Sequence, residues 1–132
     1  MIFVDTSFWV ALTLRADAHH ADARSLLERH RSAELLTSNH VRGETFTFLR
    51  RRDGHATAVA FLDGLDASPR VRIERVDDGL EADALAWLRR HDERAYSFVD
   101  ATSFQLMDRL RIRQALAFDG DFGAAGFEEL RV

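Results

Sequence analysis

The sequence predicts an α/β fold, a three-layer α/β/α sandwich around a mostly parallel sheet of about five strands. Three observations carry this. The runs Ile2-Phe3-Val4 and Ala115-Leu116-Ala117-Phe118 are continuously apolar rather than alternating, the pattern of strands covered on both faces. Each run stops at an aspartate, Asp5 and Asp119. Between the strand candidates lie segments with apolar residues at helical spacing. Strand and helix therefore alternate along the chain, which calls for right-handed crossovers.

Taken in order, Ile2 to Val4 is a central strand, and Thr6 and Ser7 are placed to cap a helix carrying Phe8, Trp9, Ala11 and Leu12. Asp17 is a candidate cap for a helix with Ala18, Ala21, Leu26 and Leu27 on its apolar face. His19 and His20 are adjacent, share no helix face, and read as solvated histidines at a helix start. Glu34 to Ser38 is a short strand, with Asn39 as cap of a helix over about His40 to Arg52 that turns Val41, Phe46, Phe48 and Leu49 inward. Arg50, Arg51 and Arg52 followed by Gly54 end that helix as the macrodipole favours. A helix from His55 to Leu65 follows. Pro69 marks the break before a strand at Val71 to Val76. Asp77-Asp78-Gly79 opens a helix whose stripe is Leu80, Ala84, Leu85, Trp87 and Leu88. His91 to Tyr96 is a polar connection. Ser97, three residues before Asp100, resembles a capping box at the start of a helix with Ala101, Phe104, Met107 and Leu110 on one face. The strand ending at Asp119 and an edge strand at Glu128 to Val132 complete the chain.

The 132 residues suit one domain, residues 1–132, with a real core. Apolar and charged fractions of 46% and 30% are those of a soluble globular protein. Cysteine is absent, which excludes disulfides and thiolate metal sites and fits a reducing cytoplasm. No apolar stretch is long enough to span a bilayer. Asp5 interrupts the first apolar run and no basic leader precedes it, so this N-terminus does not read as a signal peptide. A net charge of −4 argues against a simple basic nucleic-acid-binding module. All 18 basic residues are arginine. That usage fits a GC-rich coding sequence and equally fits bidentate phosphate contacts, and composition does not separate the two.

The acids carry the chemistry. If the strands ending at Asp5 and Asp119 are neighbours, and Asp100 and Glu44 lie in the first two turns of helices starting on the same edge, all four converge where open α/β sheets bind ligands. Two carboxylates about 4 Å apart repel by roughly 4 kcal/mol at an effective dielectric near 20. Four left unrelieved would consume much of a small domain's stability, on the order of 5–15 kcal/mol. Either protons or a cation must relieve them. Oxygen-only donors favour Mg²⁺, with Mn²⁺ possible, over zinc. Such a cluster at strand ends suits metal-assisted phosphodiester hydrolysis. Plainer roles stand beside this one: capping for Asp100, macrodipole stabilisation for Glu44, a turn for Asp119 and a helix cap for Asp121.

The order Val4-Asp5-Thr6-Ser7, Glu44, Phe98-Val99-Asp100-Ala101 and Phe118-Asp119-Gly120-Asp121-Phe122 resembles the PIN-domain ribonucleases, in particular the VapC toxins of bacterial toxin–antitoxin pairs. The resemblance covers essentially the whole chain. It implies that Asp5 and Asp100 are the principal Mg²⁺ ligands, and that Glu44 and Asp119 are the remaining acids of the pocket. Asp121 matches an additional acid and Thr6 a supporting hydroxyl. It implies endonucleolytic cleavage of RNA in a single-stranded or loop region, leaving a 5′-phosphate and a 3′-hydroxyl. It also implies a homodimer and a VapB-type antitoxin whose C-terminal segment covers the site. The stretch from His91 to Phe104 is similar to a VapC subgroup whose targets include tRNAs and the sarcin–ricin loop of ribosomal RNA, with the ribosomal loop the favoured expectation here. Arg50, Arg51 and Arg94 are candidate RNA contacts. Two rivals remain. A receiver-type phosphoacceptor domain needs a pocket lysine, and this chain has none. A non-catalytic PIN-like binding module is opposed by the intact acid set.

Overall fold

In the computed structural model, which describes residues 1–132, five strands form one sheet in the order β3-β2-β1-β4-β5. The strands are β1 (Ile2–Val4), β2 (Leu35–Ser38), β3 (Val71–Glu74), β4 (Gln114–Leu116) and β5 (Glu128–Glu129). Every pairing is parallel. The expectation of a mostly parallel five-stranded sheet is met, and the sheet is parallel throughout. β1 lies at its centre, in register with β2 through Ile2↔Leu35 and with β4 through Val4↔Leu116. Its three residues are all buried, which explains the unbroken apolar run.

Seven helices connect the strands: α1 (Thr6–Thr13), α2 (His20–Arg29), α3 (Asn39–Asp53), α4 (His55–Ala67), α5 (Asp78–Arg90), α6 (Phe98–Leu110) and α7 (Asp121–Ala124). Phe3, Phe8, Phe104 and Phe122 are fully buried, and Phe104 meets Phe122 edge-on at 5.0 Å between centroids. At roughly 1.5–3 kcal/mol per buried large apolar side chain, each of these rings is a sizeable contributor to the core.

Helix starts differ from the sequence expectation by a residue or two, each for a local reason. Asp5, not Thr6 or Ser7, caps α1: its backbone is extended (φ −88°, ψ 162°) and its carboxylate accepts the Ser7 amide. Ser38, not Asn39, caps α3 by accepting from the Val41 amide at 3.0 Å, while Asn39 Oδ1 accepts from the Val76 amide at 2.7 Å and ties α3 to the chain after β3. Asp17 stands ahead of α2 and accepts the His19 amide at 2.8 Å, leaving Ala18 outside the helix. Phe48 faces outward, 39% exposed, and Leu85 is equally exposed, so neither belongs to the core. β3 ends at Glu74 and β5 at Glu129, short of Val76 and Val132, because pairing stops there. The capping box of Ser97 and Asp100 is present. No helix is long and apolar enough to cross a membrane.

Candidate active site

The C-terminal ends of the two central strands are stitched together by Ser7. Its hydroxyl donates to Asp5 Oδ2 at 2.7 Å and accepts from the Phe118 amide at 3.0 Å. The Asp5 amide in turn donates to the Leu116 carbonyl at 3.0 Å. Asp5 is thereby fixed at the end of β1, 2% exposed, beside the segment that leads to Asp119. Asp100 enters from α6. One of its oxygens, Oδ2, accepts the Ser97 amide at 2.9 Å, and its own amide donates to Ser97 Oγ. Capping and site membership thus coincide in one residue.

Asp119 and Asp121 sit on the turn from β4 to α7. Asp119 Oδ1 accepts the Asp121 amide at 3.1 Å, and Gly120 between them adopts the left-handed conformation (φ +82°) that glycine tolerates. The turn is clamped from β5 by Glu129, whose nearly buried carboxylate accepts the Gly120 amide at 3.1 Å and the Gly123 amide at 3.0 Å. A side chain at Gly123 would place its Cβ 2.9 Å from Glu129 Oε2, so the clamp needs glycine there. Arg94, on the connection before α6, pairs with Asp121 at 2.9 Å.

One ligand oxygen from each of Asp100, Asp119 and Asp121 falls within 4.8 Å of the others. These three line a cavity of about 600 Å³ together with Asp5, Thr6 and Glu44. Burial pushes the Asp5 carboxyl up to about 7, with the Asp119 charge adding to the rise. Burial likewise lifts Asp100 to about 6, reinforced by Asp121 and Asp119. Asp119, the most open of the cluster, is raised by loss of water and then by Asp121 and Glu129. Charge is therefore suppressed here by crowding and burial, with one arginine as ion-pair partner. Thr6 Oγ1 is the one buried side-chain polar atom in the chain without a hydrogen-bond partner, and it borders this cavity. An all-oxygen donor set, mutually repelling and adjoining an unpaired hydroxyl, fits a hard divalent cation.

The structure gathers Asp5, Thr6, Glu44, Asp100, Asp119 and Asp121 around one cavity. Two of the expected acids stand outside the tight oxygen cluster: Asp5, which is buried and held by Ser7, and Glu44, which is exposed. Arg94 reaches that cluster; Arg51 and Arg52 border an adjoining hollow that shares Glu44 and Phe48. Arg50 borders neither hollow. Sequence reasoning missed Ser7 as the stitch between strands and Glu129 as the clamp. A small hydroxyl two residues after Asp5 was the signal for the first; nothing local marked the second.

The model of the PIN domain matches residues 2–128. This chain belongs to the PIN-domain family. Within it, the PIN chain is 55% identical over 131 residues to the 23S rRNA-specific endonuclease VapC20 of Mycobacterium tuberculosis, in both the CDC 1551/Oshkosh and H37Rv strains. The alignment covers 99% of this chain and 98% of each relative. The crystal structure of M. tuberculosis VapC20, described as a sarcin–ricin-loop-cleaving toxin, superposes with a TM-score of 0.94 at 53% identity, covering 100% of both chains. The PIN domain here is therefore of the VapC type, in agreement with the resemblance drawn from the motifs.

Proposed function

We propose that this VapC-type PIN domain is a divalent-metal-dependent endoribonuclease toxin that cuts 23S rRNA in its sarcin–ricin loop. The observation that carries the reading is the meeting of carboxylates from β1, α6 and the β4–α7 turn in one cavity with little opposing charge. The relatives' named activity supports the choice of RNA. Asp5, Asp100 and Asp119 hold Mg²⁺, directly or through water, and Asp121 and Thr6 support the set. When bound, the ion polarises the scissile phosphate and makes water a stronger nucleophile.

The chain's own groups do the rest. Ser7 and Ser97 fix the two most buried carboxylates before substrate arrives, so little reorganisation is left for the reaction. Glu44, on the open rim, orients the attacking water and takes up its proton. Arg51 and Arg52, beside Glu44, meet the RNA's phosphates. In-line attack leaves a 5′-phosphate and a 3′-hydroxyl. A VapB-type antitoxin covers the cavity with its C-terminal segment, the toxin acts as a homodimer, and both work in the cytoplasm.

The test is end mapping on purified bacterial ribosomes. One new 5′-phosphate end inside the sarcin–ricin loop is expected with Mg²⁺ and none with Asp5→Asn. Intact ribosomal RNA alongside cleaved tRNA would overturn the choice of target.

A further inference from the structure

We propose that the imidazole of His19 is a stacking ledge for a nucleobase of the RNA beside the scissile phosphate, a role that rests on the ribonuclease reading above. His19 immediately precedes α2 and its backbone amide is held by Asp17 Oδ1 at 2.8 Å. Its side chain makes no cap hydrogen bond. The neighbouring His20 is different: its ring contacts the Ala11 carbonyl at 2.8 Å and ties α2 to α1.

The His19 ring instead lies flat on Phe118, 4.5 Å between centroids and 4° from parallel. Phe118 packs on Phe8 at 5.7 Å and 17°, and Phe8 is wholly buried. A near-parallel aromatic series thus runs from the core to an exposed imidazole. Phe118 directly precedes Asp119, and both aromatic residues border the cavity that holds Asp5, Asp100 and Asp119.

An exposed flat ring that is already immobilised next to a phosphodiester-cleaving centre suits one ligand chemistry, an unpaired base. Single-stranded loops are recognised by splaying bases onto aromatic or histidine faces. The entropy of fixing the ledge is met in the free protein, so stacking adds affinity without reordering. Stacking of this kind accepts any base, so His19 sets where the strand lies and leaves the identity of the base to other contacts.

The test uses the full chain in the Asp5→Asn background and a hairpin carrying the sarcin–ricin loop sequence, with 2-aminopurine placed at each loop position in turn. Binding should quench one or two adjacent positions. Adding His19→Ala should abolish that quench and weaken binding about tenfold. Adding His19→Phe should keep both. In the active protein, His19→Ala should raise KM for the hairpin while changing kcat little, with an unaltered melting temperature. A His19→Ala protein that binds and quenches like its parent would overturn the ledge and leave the ribonuclease reading intact. A parent that binds no position of the hairpin would overturn both.

Discussion

The two ends of the sheet make opposite use of charge. At the N-terminal edge of the strands a hollow of about 1020 Å³ is bordered by Arg24, Arg29, Arg31 and Arg70. Three of these arginines are already engaged. Arg70 donates to the His30 and Ala33 carbonyls, Arg29 to the Arg131 carbonyl, and Arg31 to Glu28. At the C-terminal edge the cavity is smaller, about 600 Å³, yet its carboxylates crowd together with Arg94 as the one ion-pair partner. In the larger hollow most of the charge is already paired, whereas in the smaller one it is not. Unrelieved charge, rather than volume, separates a site from a surface.

Substitutions sharpen that contrast, and the largest effect is expected from Asp100→Asn or Asp5→Asn. Losing several kcal/mol of transition-state stabilisation corresponds to about a thousandfold or more in cleavage rate. Both variants should fold, because asparagine can keep the capping hydrogen bonds. Arg70→Ala at the other edge should do the reverse: cleavage rate within about twofold, and stability lower by about 1 kcal/mol, since the half-buried Ala33 and His30 carbonyls lose the guanidinium, the latter keeping the Ala33 amide. Rates and urea midpoints measured side by side would show whether the two edges divide in this way.

Glu129→Ala is expected to fall between these. It removes the acceptor of two turn amides, so Asp119 and Asp121 lose their support. Cleavage should drop by about tenfold to a hundredfold with a modest loss of stability, on the order of 1–3 kcal/mol. Full activity in this variant would mean the turn holds its shape without the clamp.

The charge at the acidic edge also has a pH signature. Asp5 is raised to about 7 and Asp100 to about 6, against about 4 in the unfolded chain. Between those values the unfolded chain has released protons that the folded one still holds. Metal-free protein should therefore lose stability as pH rises from about 4 to 7. Divalent metal binds the ionised carboxylates and should raise the melting temperature more near pH 8 than near pH 5. A melting temperature that is flat, or rises with pH, in chelator would contradict the raised carboxyls. The smallest effect is expected from Arg94→Gln, whose half-exposed pair with Asp121 should contribute below about 1 kcal/mol to stability.

The legible parts of this molecule are those where one short segment decides the outcome. Ile2 to Val4 and Ala115 to Ala117 have no polar residue to turn outward, so interior strands were legible there, although β4 runs from Gln114 to Leu116 and leaves Asp119 on the following turn, three residues past its end. Ser97 and Asp100 announce their own helix start. Parts decided by distant partners were less readable. Phe48 satisfies the helical period yet points outward beside Arg52, whose guanidinium lies 5.2 Å from its ring centre. Asn39 has the residue type of a cap, and its actual role toward Val76 lies across 37 positions of sequence. Glu129 was one acid in a C-terminal tail until β5 laid it against the turn. The closeness of Asp121 to Asp100 depends on the left-handed Gly120, which no periodicity reveals.

The most direct measurement is a calorimetric titration of Mn²⁺ into metal-free protein near pH 8, wild type against Asp100→Asn. Saturable binding in the wild type, weakened at least about tenfold in the variant, is the expected result. Equal binding by both proteins would contradict a cation held at the junction of β1, α6 and the β4–α7 turn.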